Sequence, residues 1–265
     1  MPNPDRVSIE LADNGVAHVR LTRADKMNAL DPAMFDAIIE AGEELQHMKG
    51  VRAVVLSGDG RSFCAGLDIT SLGAEGGGNG SLVDRTFGNS NKFQEVAMTW
   101  RKCPVPVIAA VQGVCFGGGL QIASGADIRI VTPDARMAIM EMKWGLVPDM
   151  GGYALWRGLV RDDILRELIY TNREFSGEEA HQFGLATHID ADPLSKAMEL
   201  AEVIANRNPE AMRGAKRLMD VMFDEGTDAI LMAESVEQEK VMRRPNQVEA
   251  VMAGMQKRAA NFVDV

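Results

Sequence analysis

The chain has 265 residues, of which 46% are hydrophobic and 25% are charged, a composition typical of a soluble globular protein with a sizeable core. Its formal net charge of −10 and the lack of a dense lysine and arginine stripe argue against a nucleic-acid partner. We find no signal pattern near the first residue and no apolar run long enough to span a bilayer. The sequence therefore predicts a cytoplasmic protein without a membrane partner.

The chain contains three cysteines, Cys64, Cys103 and Cys115. Their number is odd and their neighbours are apolar, which favours buried free thiols in a reducing compartment over a disulfide framework. The same pattern gives no metal-ligand spacing, so we expect no metal site.

The first elements along the chain are a β-hairpin and a helix. Residues 6–11 and 15–21 alternate apolar and polar side chains on either side of an Asn-Gly pair, which is typical of a hairpin. Asp31 and Pro32 supply an N-cap and a first helical residue, and Gly50 supplies a stop. The sequence therefore predicts a helix between Pro32 and Gly50.

The next part of the sequence combines two apolar strands with a segment of little side-chain bulk. Residues 51–56 and 105–111 are apolar runs of strand length. Residues 71–81 contain five glycines, and we expect a mobile loop there. A helical stretch is predicted between them, from about residue 82 to residue 102.

A glycine triplet follows the second of these strands and opens a predicted helix. Gly117, Gly118 and Gly119 leave the backbone bare, so a ligand atom can approach main-chain N–H groups closely. The first turn of a helix has N–H groups without an intrahelical partner and a partial positive charge. Such a site suits an oxygen that becomes negative during a reaction. The alternative is a tight strand-to-helix turn that needs glycine only for its dihedral angles.

Short strands and helices follow the triplet, and helices alone make up the last quarter of the chain. The predicted elements are strands near 127–132 and 136–140, a helix from about 150 to 160, a helix with a capping box at Ser176 and Glu179 that ends at Gly184, and a strand over 185–189. From Asp192 onward the sequence is helical and rich in methionine. We interpret these methionines first as core filling. Subunit packing is the second interpretation.

Four loops together resemble a known family. They are 24–30 (Ala-Asp-Lys-Met-Asn-Ala-Leu), 62–68 (Ser-Phe-Cys-Ala-Gly-Leu-Asp), 116–119 (Phe-Gly-Gly-Gly) and 144–152 (Trp-Gly-Leu-Val-Pro-Asp-Met-Gly-Gly). Their order and spacing closely resemble the crotonase superfamily, the enoyl-CoA hydratases and isomerases, over residues 7 to about 260. Each motif alone is weak, but the set is specific.

The resemblance implies an α/β fold of the crotonase-like (ClpP/crotonase) type, a spiral of ββα units followed by a helical C-terminal region. Residues 1–190 would form the spiral core with the acyl-CoA site, and residues 191–265 the helical region that serves oligomerisation and covers the site. The family usually assembles as trimers or pairs of trimers, so we expect a homotrimer or a dimer of trimers.

The resemblance also implies an acyl-CoA thioester as substrate, with its carbonyl oxygen bound by the N–H groups of Leu67 and Gly118. Two fixed donors stabilise an enolate more than the ground-state carbonyl, and one such donor is worth roughly 3 kcal/mol. Coenzyme A is part of the substrate, so no separate cofactor is expected. The residues that match the substrate- and CoA-binding positions are Lys26, Ala29, Ala65, Asp68, Ile69, Gly117, Gln121 and Pro148.

The acid–base residues depart from the hydratase pattern of two glutamates. The first glutamate matches Gln121, which cannot take up a proton as a carboxylate does. The second matches Glu141, and Asp149 occupies the position of the catalytic aspartate in the family's dienoyl-CoA isomerases, which also keep an acid where Gln121 stands. Without the resemblance, Asp149 could be only a helix N-cap and Glu141 only a solvated strand end.

The segment from about 71 to 100 shapes the acyl pocket in this family. Candidate pocket residues are Arg85, Phe87, Phe93 and Trp100, together with Met142 and Trp144 beside Glu141. For Phe93 and Trp100 we favour a packing role on one helix face.

The sequence thus predicts a crotonase-type enzyme that acts on an unsaturated acyl-CoA through an enolate. Double-bond isomerisation is preferred slightly over hydration because one hydratase carboxylate is replaced by Gln121. Hydration by Glu141, with a water held by Gln121, is the nearest alternative. A non-catalytic acyl-CoA binding subunit is the third.

Overall fold

The computed structural model describes residues 2–72 and 81–265. The strands are β1 (Val7–Leu11), β2 (Val16–Leu21), β3 (Ala53–Gly58), β4 (Val107–Val111), β5 (Val114–Phe116), β6 (Ile128–Val131), β7 (Arg136–Ala138), β8 (Phe175–Ser176) and β9 (His188–Ile189). The helices are α1 (Pro32–His47), α2 (Ile69–Leu72), α3 (Lys92–Lys102), α4 (Gly118–Gly125), α5 (Gly152–Trp156), α6 (Asp162–Thr171), α7 (Gly177–Phe183), α8 (Pro193–Ala205), α9 (Pro209–Asp224), α10 (Thr227–Val241) and α11 (Pro245–Gln256).

Two sheets organise the fold. The larger has six strands in the order β1-β2-β3-β4-β6-β9, and all neighbours except β1 and β2 run parallel. Strands β3 and β4 are buried along their whole length, because both faces of a parallel sheet are covered and apolar residues such as those of β4 fit there. The smaller sheet has the order β5-β7-β8.

The chain alternates between the two sheets as it advances. A strand of the large sheet is followed by a short segment beside the small sheet and then by a helix, as in β4, β5 and α4. Cys64, which follows β3, forms a parallel bridge with Cys115 of β5. The segment after β3 therefore pairs with the edge of the small sheet. The expected spiral of strand–strand–helix units is thereby confirmed.

The hairpin and the first helix are confirmed. Strand β1 pairs with β2 in antiparallel register, with Val7 opposite Leu21. Helix α1 begins at Pro32, where the Asp31 side chain accepts a hydrogen bond of 2.8 Å from the Met34 amide. The capping boxes at Asn91 and Ser176 are also formed.

The helix predicted from 82 to 102 is wrong over its first half. Helix α3 begins only at Lys92, because the Asn91 side chain accepts from the Gln94 amide and the Gln94 side chain accepts from the Asn91 amide. Before it, Gly88 has a left-handed φ of +73°, which interrupts a helix. Most of the loop predicted as mobile lies outside the described residues.

The helix predicted near 150–160 is also shorter, and the next one was not predicted. Helix α5 ends at Trp156, and Gly158 turns the chain with φ of +79°. Helix α6 follows with its own first-turn carboxylates, Asp162 and Asp163, which favour a helix N-terminus.

The C-terminal helices differ in how much they bury. Helix α8 packs against the large sheet through Ala197, Ala201 and Ala205, which belong to one cluster with residues of β3 and β4. The division at residue 190 stays a prediction. The interpretation of the tail methionines as core filling holds for Met198 on α8, which packs against that cluster. It is wrong for those that are exposed to solvent on α9–α11 and the adjoining turn: Met219, Met222, Met232, Met242, Met252 and Met255.

The three cysteines are buried free thiols, as the sequence predicts. Burial raises the pKa of the Cys64 thiol to about 12. Within the described part of the chain, no helix is both long and apolar enough to cross a membrane.

Replacing Asp31 with alanine removes the N-cap of α1 and the partner of Arg6. We expect the free energy of unfolding at neutral pH to fall by about 1–2 kcal/mol in urea denaturation. Burial alone would raise the pKa of Asp31, but hydrogen bonds from Arg6 and the Met34 amide lower it below 3.8. The carboxylate therefore stabilises the fold above pH 3.8, and the difference from wild type shrinks as the pH falls below that value.

Asp192→Ala is the matched control. Asp192 caps α8 through the Ser195 amide at 3.1 Å but forms no ion pair with a described residue. We expect this variant to lose a cap without the added loss of an ion pair. Equal losses with equal pH dependence in both variants would contradict a contribution from Arg6.

Candidate active site

The loop before α1 is tied to the loop after β3 by one asparagine. Asn28 adopts a left-handed φ of 55°, which asparagine tolerates better than most residues. Its side-chain Nδ2 donates to the main-chain carbonyls of Asp59, Ser62 and Phe63. Asn28 is fully buried and was missed by sequence reasoning, although it lies inside the 24–30 motif.

The Leu67 amide points away from Leu30, with which Leu67 forms a parallel bridge. The Leu30 amide donates to the Gly66 carbonyl at 2.8 Å, and the Asp68 amide donates to the Leu30 carbonyl at 3.0 Å. In such a parallel bridge the residue between the two bonded groups turns its own N–H to the opposite side. Among the described residues, no backbone carbonyl accepts from the Leu67 N–H.

The Gly118 amide lies beside the segment that carries Leu67. Gly118 is the first residue of α4, so its N–H has no intrahelical partner. A Cβ on Gly66 would lie 3.7 Å from the Gly118 nitrogen, so the segment that carries Leu67 runs directly beside the start of α4. Two unbonded amides therefore lie on neighbouring segments, an arrangement that can bind one oxygen.

The glycine triplet is required by dihedral angle at Gly117 and by close packing at Gly119. Gly117 has φ of 50° and ψ of −116°, which a residue with a side chain rarely adopts. Gly119 is needed for closeness, because a Cβ there would overlap the Cys64 carbonyl oxygen and lie 2.8 Å from the Cys64 Cβ. The triplet therefore serves the turn and the packing of α4 on the loop after β3, and the binding of a ligand oxygen by its amides stays a prediction.

Glu141 is held in the interior by one of its oxygens. It begins a short 3₁₀ turn, Glu141–Trp144, and its Oε1 accepts a hydrogen bond of 2.6 Å from Gln121 Nε2. Its Oε2 is buried and has no hydrogen-bond partner among the described residues. Burial raises the pKa of the Glu141 carboxyl above 4.5, so it is not a solvated strand end.

Asp149 lies in the turn that precedes α5 and is exposed to solvent. Partial desolvation raises the pKa of its carboxyl, and its charge contributes to the raised pKa of Glu141, so the two groups interact. The N-cap interpretation of Asp149 is wrong, because α5 begins at Gly152 and Gly151 occupies its N-cap.

Gln121 connects Glu141 to the turn that carries Asp149. It is fully buried on α4, and its Oε1 accepts from the Met150 amide at 3.0 Å and from the Gly152 amide at 2.9 Å. Sequence reasoning did not foresee these contacts, because the partners lie about thirty residues away along the chain. Pro148 is buried in the same turn.

The residues predicted to bind CoA differ in their exposure and in their partners. Lys26 is exposed and forms no ion pair with a described residue, Ala29 and Ala65 are half-buried, and Ile69 is exposed. The Asp68 carboxylate is paired with Arg23 at 2.8 Å. A hydrogen bond from Thr70 and the Arg23 pair lower its pKa, so it already has partners within the protein. Arg23 was not identified from the sequence, although it directly precedes the first motif.

The candidate pocket residues divide into two groups. Trp100 is fully buried and Phe93 packs edge-on against Phe35 with ring centroids 5.4 Å apart, which confirms their packing role. Arg85 is exposed and donates to Gln94, while Phe87 packs against the core. Two others lie exposed just after Glu141: Met142 and Trp144.

A protein-family model described as enoyl-CoA hydratase/isomerase matches residues 12–264. The chain belongs to the enoyl-CoA hydratase/isomerase family. The match spans all four loop motifs, so the resemblance seen in the sequence is confirmed.

Relatives of both activities resemble this family member. The mitochondrial Delta(3,5)-Delta(2,4)-dienoyl-CoA isomerase of Mus musculus is 29% identical, over 97% of this chain and 81% of that protein. An enoyl-CoA hydratase of Mycobacterium tuberculosis is 33% identical, over 75% of this chain and 74% of that protein. The crystal structure of an enoyl-CoA hydratase from Bacillus anthracis gives a TM-score of 0.88 at 26% identity, over 97% of this chain and 98% of that one. The crotonase fold and an enzyme of this family are thereby shown.

Gly119→Ala tests the close approach of α4 to the loop after β3. The added methyl group meets main-chain atoms of Cys64 that cannot move independently. We expect the free energy of unfolding to fall by about 1–3 kcal/mol in urea denaturation.

Gly254→Ala is the control, because a Cβ on this α11 residue meets no atom within 4 Å. We expect it to stabilise the protein by about 0.5–1 kcal/mol through helix propensity. A loss at Gly254 as large as that at Gly119 would show that the contact with Cys64 is not the cause.

Proposed function

We propose that this family member moves a double bond along the acyl chain of an unsaturated acyl-CoA thioester. A carboxylate removes a proton from a carbon that conjugation couples to the thioester carbonyl. The electron pair of the broken C–H bond spreads onto the carbonyl oxygen as an enolate. A carboxylic acid then returns a proton to a different carbon of the conjugated chain. One C–H bond breaks and another forms, so no co-reactant is consumed.

Glu141 and Asp149 carry the protons in this proposal. Both carboxyl groups have a raised pKa, which brings each closer to the working pH of a general acid or base. The observation that carries the proposal is the pair itself: two interacting carboxyl groups, with Asp149 at the position that resembles the catalytic aspartate of dienoyl-CoA isomerases. Gln121 stands where hydratases and dienoyl-CoA isomerases alike keep an acid, so it does not separate the two reactions. Relatives named dienoyl-CoA isomerase support it.

Leu67 and Gly118 donate to the thioester oxygen in the same proposal. Their amides have no backbone acceptor among the described residues, so binding an oxygen there breaks no existing backbone bond. Because the donors are fixed before the reaction, they stabilise the enolate without reorganisation, each by roughly 3 kcal/mol.

Coenzyme A enters this proposal as part of the substrate, and no separate cofactor takes part. The exposed Lys26 ammonium offers a positive charge to its phosphates, although the whole chain is acidic. Asp68 acts through its backbone in this proposal, since its carboxylate is paired with Arg23. The remaining contacts are proposed along the loops, from Ala29, Ala65, Ile69, Gly117 and Pro148.

Hydration is the second candidate, because other relatives are named enoyl-CoA hydratase. In this reaction Glu141 activates a water held by Gln121. Gln121 has one N–H left for that water, because its oxygen already accepts from two amides and its other N–H donates to Glu141.

A spectroscopic assay of the purified protein with enoyl-CoA and dienoyl-CoA substrates separates the candidates. Isomerisation shifts the absorbance of the conjugated thioester, whereas hydration removes it. We expect the shift. Tight binding without turnover across the panel would contradict both reactions and select the acyl-CoA binding subunit.

Asp149→Asn and Glu141→Gln test the two proton carriers. Each keeps the size of the side chain but removes its proton exchange, so we expect kcat for isomerisation to fall by about 10²- to 10⁴-fold. The measurement is the initial rate across pH. Because one group must be ionised and the other protonated, the wild-type profile should be bell-shaped.

Asp228→Asn on the exposed surface of α10 controls for the loss of a carboxylate in general. We expect its rate to equal that of the wild type. An unchanged isomerase rate in Asp149→Asn would remove Asp149 from the mechanism.

We further propose a homotrimer or a dimer of trimers. The exposed methionines and other apolar residues of α9–α11 support this assembly, because large apolar side chains left in solvent are covered when subunits associate. Light scattering should give a mass three or six times that of one chain. A monomeric mass at micromolar concentration would contradict the proposal.

A further inference from the structure

The orientation of the Gln121 amide is fixed by its neighbours. Two main-chain N–H groups, those of Met150 and Gly152, both point at one end of the amide, at 3.0 and 2.9 Å. Only the carbonyl oxygen can accept from them, so the NH₂ group must face Glu141. The 2.6 Å contact with Glu141 Oε1 is therefore an N–H donating to a carboxyl oxygen.

This contact makes the two oxygens of Glu141 unequal. Oε1 accepts from Gln121 and cannot carry a proton on that side. Oε2 is buried and has no hydrogen-bond partner in the part of the chain that the structure describes. The Gln121 bond therefore holds Glu141 by Oε1 and stabilises the ionised form of its carboxyl group.

The same amide also holds the turn that carries Asp149. Met150 and Gly152 lie one and three residues after Asp149, and both amides are held by Gln121 Oε1. One side chain thus spans from Glu141 to the turn that carries Asp149. A Cβ on Gly152 would lie 2.8 Å from Gln121 Oε1, so the turn is packed directly against the amide.

We propose that Gln121 is a positioning residue that sets the distance between Glu141 and the turn that carries Asp149. This inference rests on the proposed function for its catalytic meaning, whereas its geometry stands without substrate. An acid at position 121 would be a third carboxyl group beside Glu141 and Asp149. The Gln121 amide exchanges no proton and acts there by hydrogen bonding only.

Gln121 has two tasks in this proposal: it accepts from the Met150 and Gly152 amides, and it donates to Glu141. Gln121→Glu keeps the first task and changes the second. One oxygen of the new carboxyl group can still accept from Met150 and Gly152, so the turn stays in place. The other oxygen faces Glu141 Oε1 and holds it only when a proton is shared between them, as in a carboxylate pair. Gln121→Met removes both tasks, because methionine neither accepts from the amides nor donates to Glu141.

The first readout is kinetic. We expect Gln121→Glu to retain kcat within about threefold of wild type near pH 5, where the shared proton is present, and to lose about tenfold or more as the pH rises to about 8. Gln121→Met should lose about tenfold or more in kcat at every pH, with a smaller change in KM. An unchanged kcat in Gln121→Met would overturn the proposal.

The second readout needs no substrate. In Gln121→Glu the shared proton raises a folded-state pKa, so the added stability is present at low pH and is lost as the pH rises through that value. We expect Tm of the variant, relative to wild type, to fall by about 3 °C or more between about pH 5 and about pH 8. Gln182→Glu adds the same charge on the exposed face of α7 and should show no such trend.

The two readouts distinguish the inference from the proposed function. If Gln121→Glu and Gln182→Glu melt with the same pH dependence, the amide does not face Glu141 and the inference is overturned. If the melting trend is found but the wild type isomerises no acyl-CoA, the placement of Gln121 stands and the proposed reaction fails.

Discussion

The approach of two main-chain segments is the constraint on which the site depends. Helix α4 starts so close to the loop after β3 that Gly119 has no room for a methyl group beside Cys64. Because the segments touch at this point, the amide of Gly118 lies next to the segment that carries Leu67. A larger residue would separate the two donors. The glycines are therefore required by distance as well as by dihedral angle.

Burial then gives the polar groups of the site their properties. A carboxyl group in water ionises near its ordinary pKa, but Glu141 is largely removed from water and its pKa rises. The hydrogen bond from Gln121 acts in the opposite direction, since it stabilises the ionised form. The same Gln121 amide holds the turn that carries Asp149, because its oxygen accepts hydrogen bonds from two main-chain amides of that turn. One neutral side chain thus connects two acidic ones.

Local sequence was a good guide wherever local bonds decide the structure. The cap at Asp31 and the capping box at Ser176 were predicted because their partners lie three residues away. A capping hydrogen bond also explains why the helix predicted over 82–102 is wrong over its first half. Asn91 caps the helix, which therefore begins later than the apolar pattern indicates. The tail methionines were misread because periodicity shows which side chains share a face, and it does not show what that face meets.

The sequence by itself determined the family, the spiral of strands and the four loops that carry the candidate site, because order and spacing along the chain encode them. It did not determine which groups touch. The partners of Asn28, Gln121 and Glu141 lie between 20 and 35 residues away, and only the packing of one turn of the spiral on the next brings them within hydrogen-bond distance. The tertiary structure therefore decided that Gln121 holds a carboxyl group and a turn, because its one amide meets a donor pair on one side and an acceptor on the other.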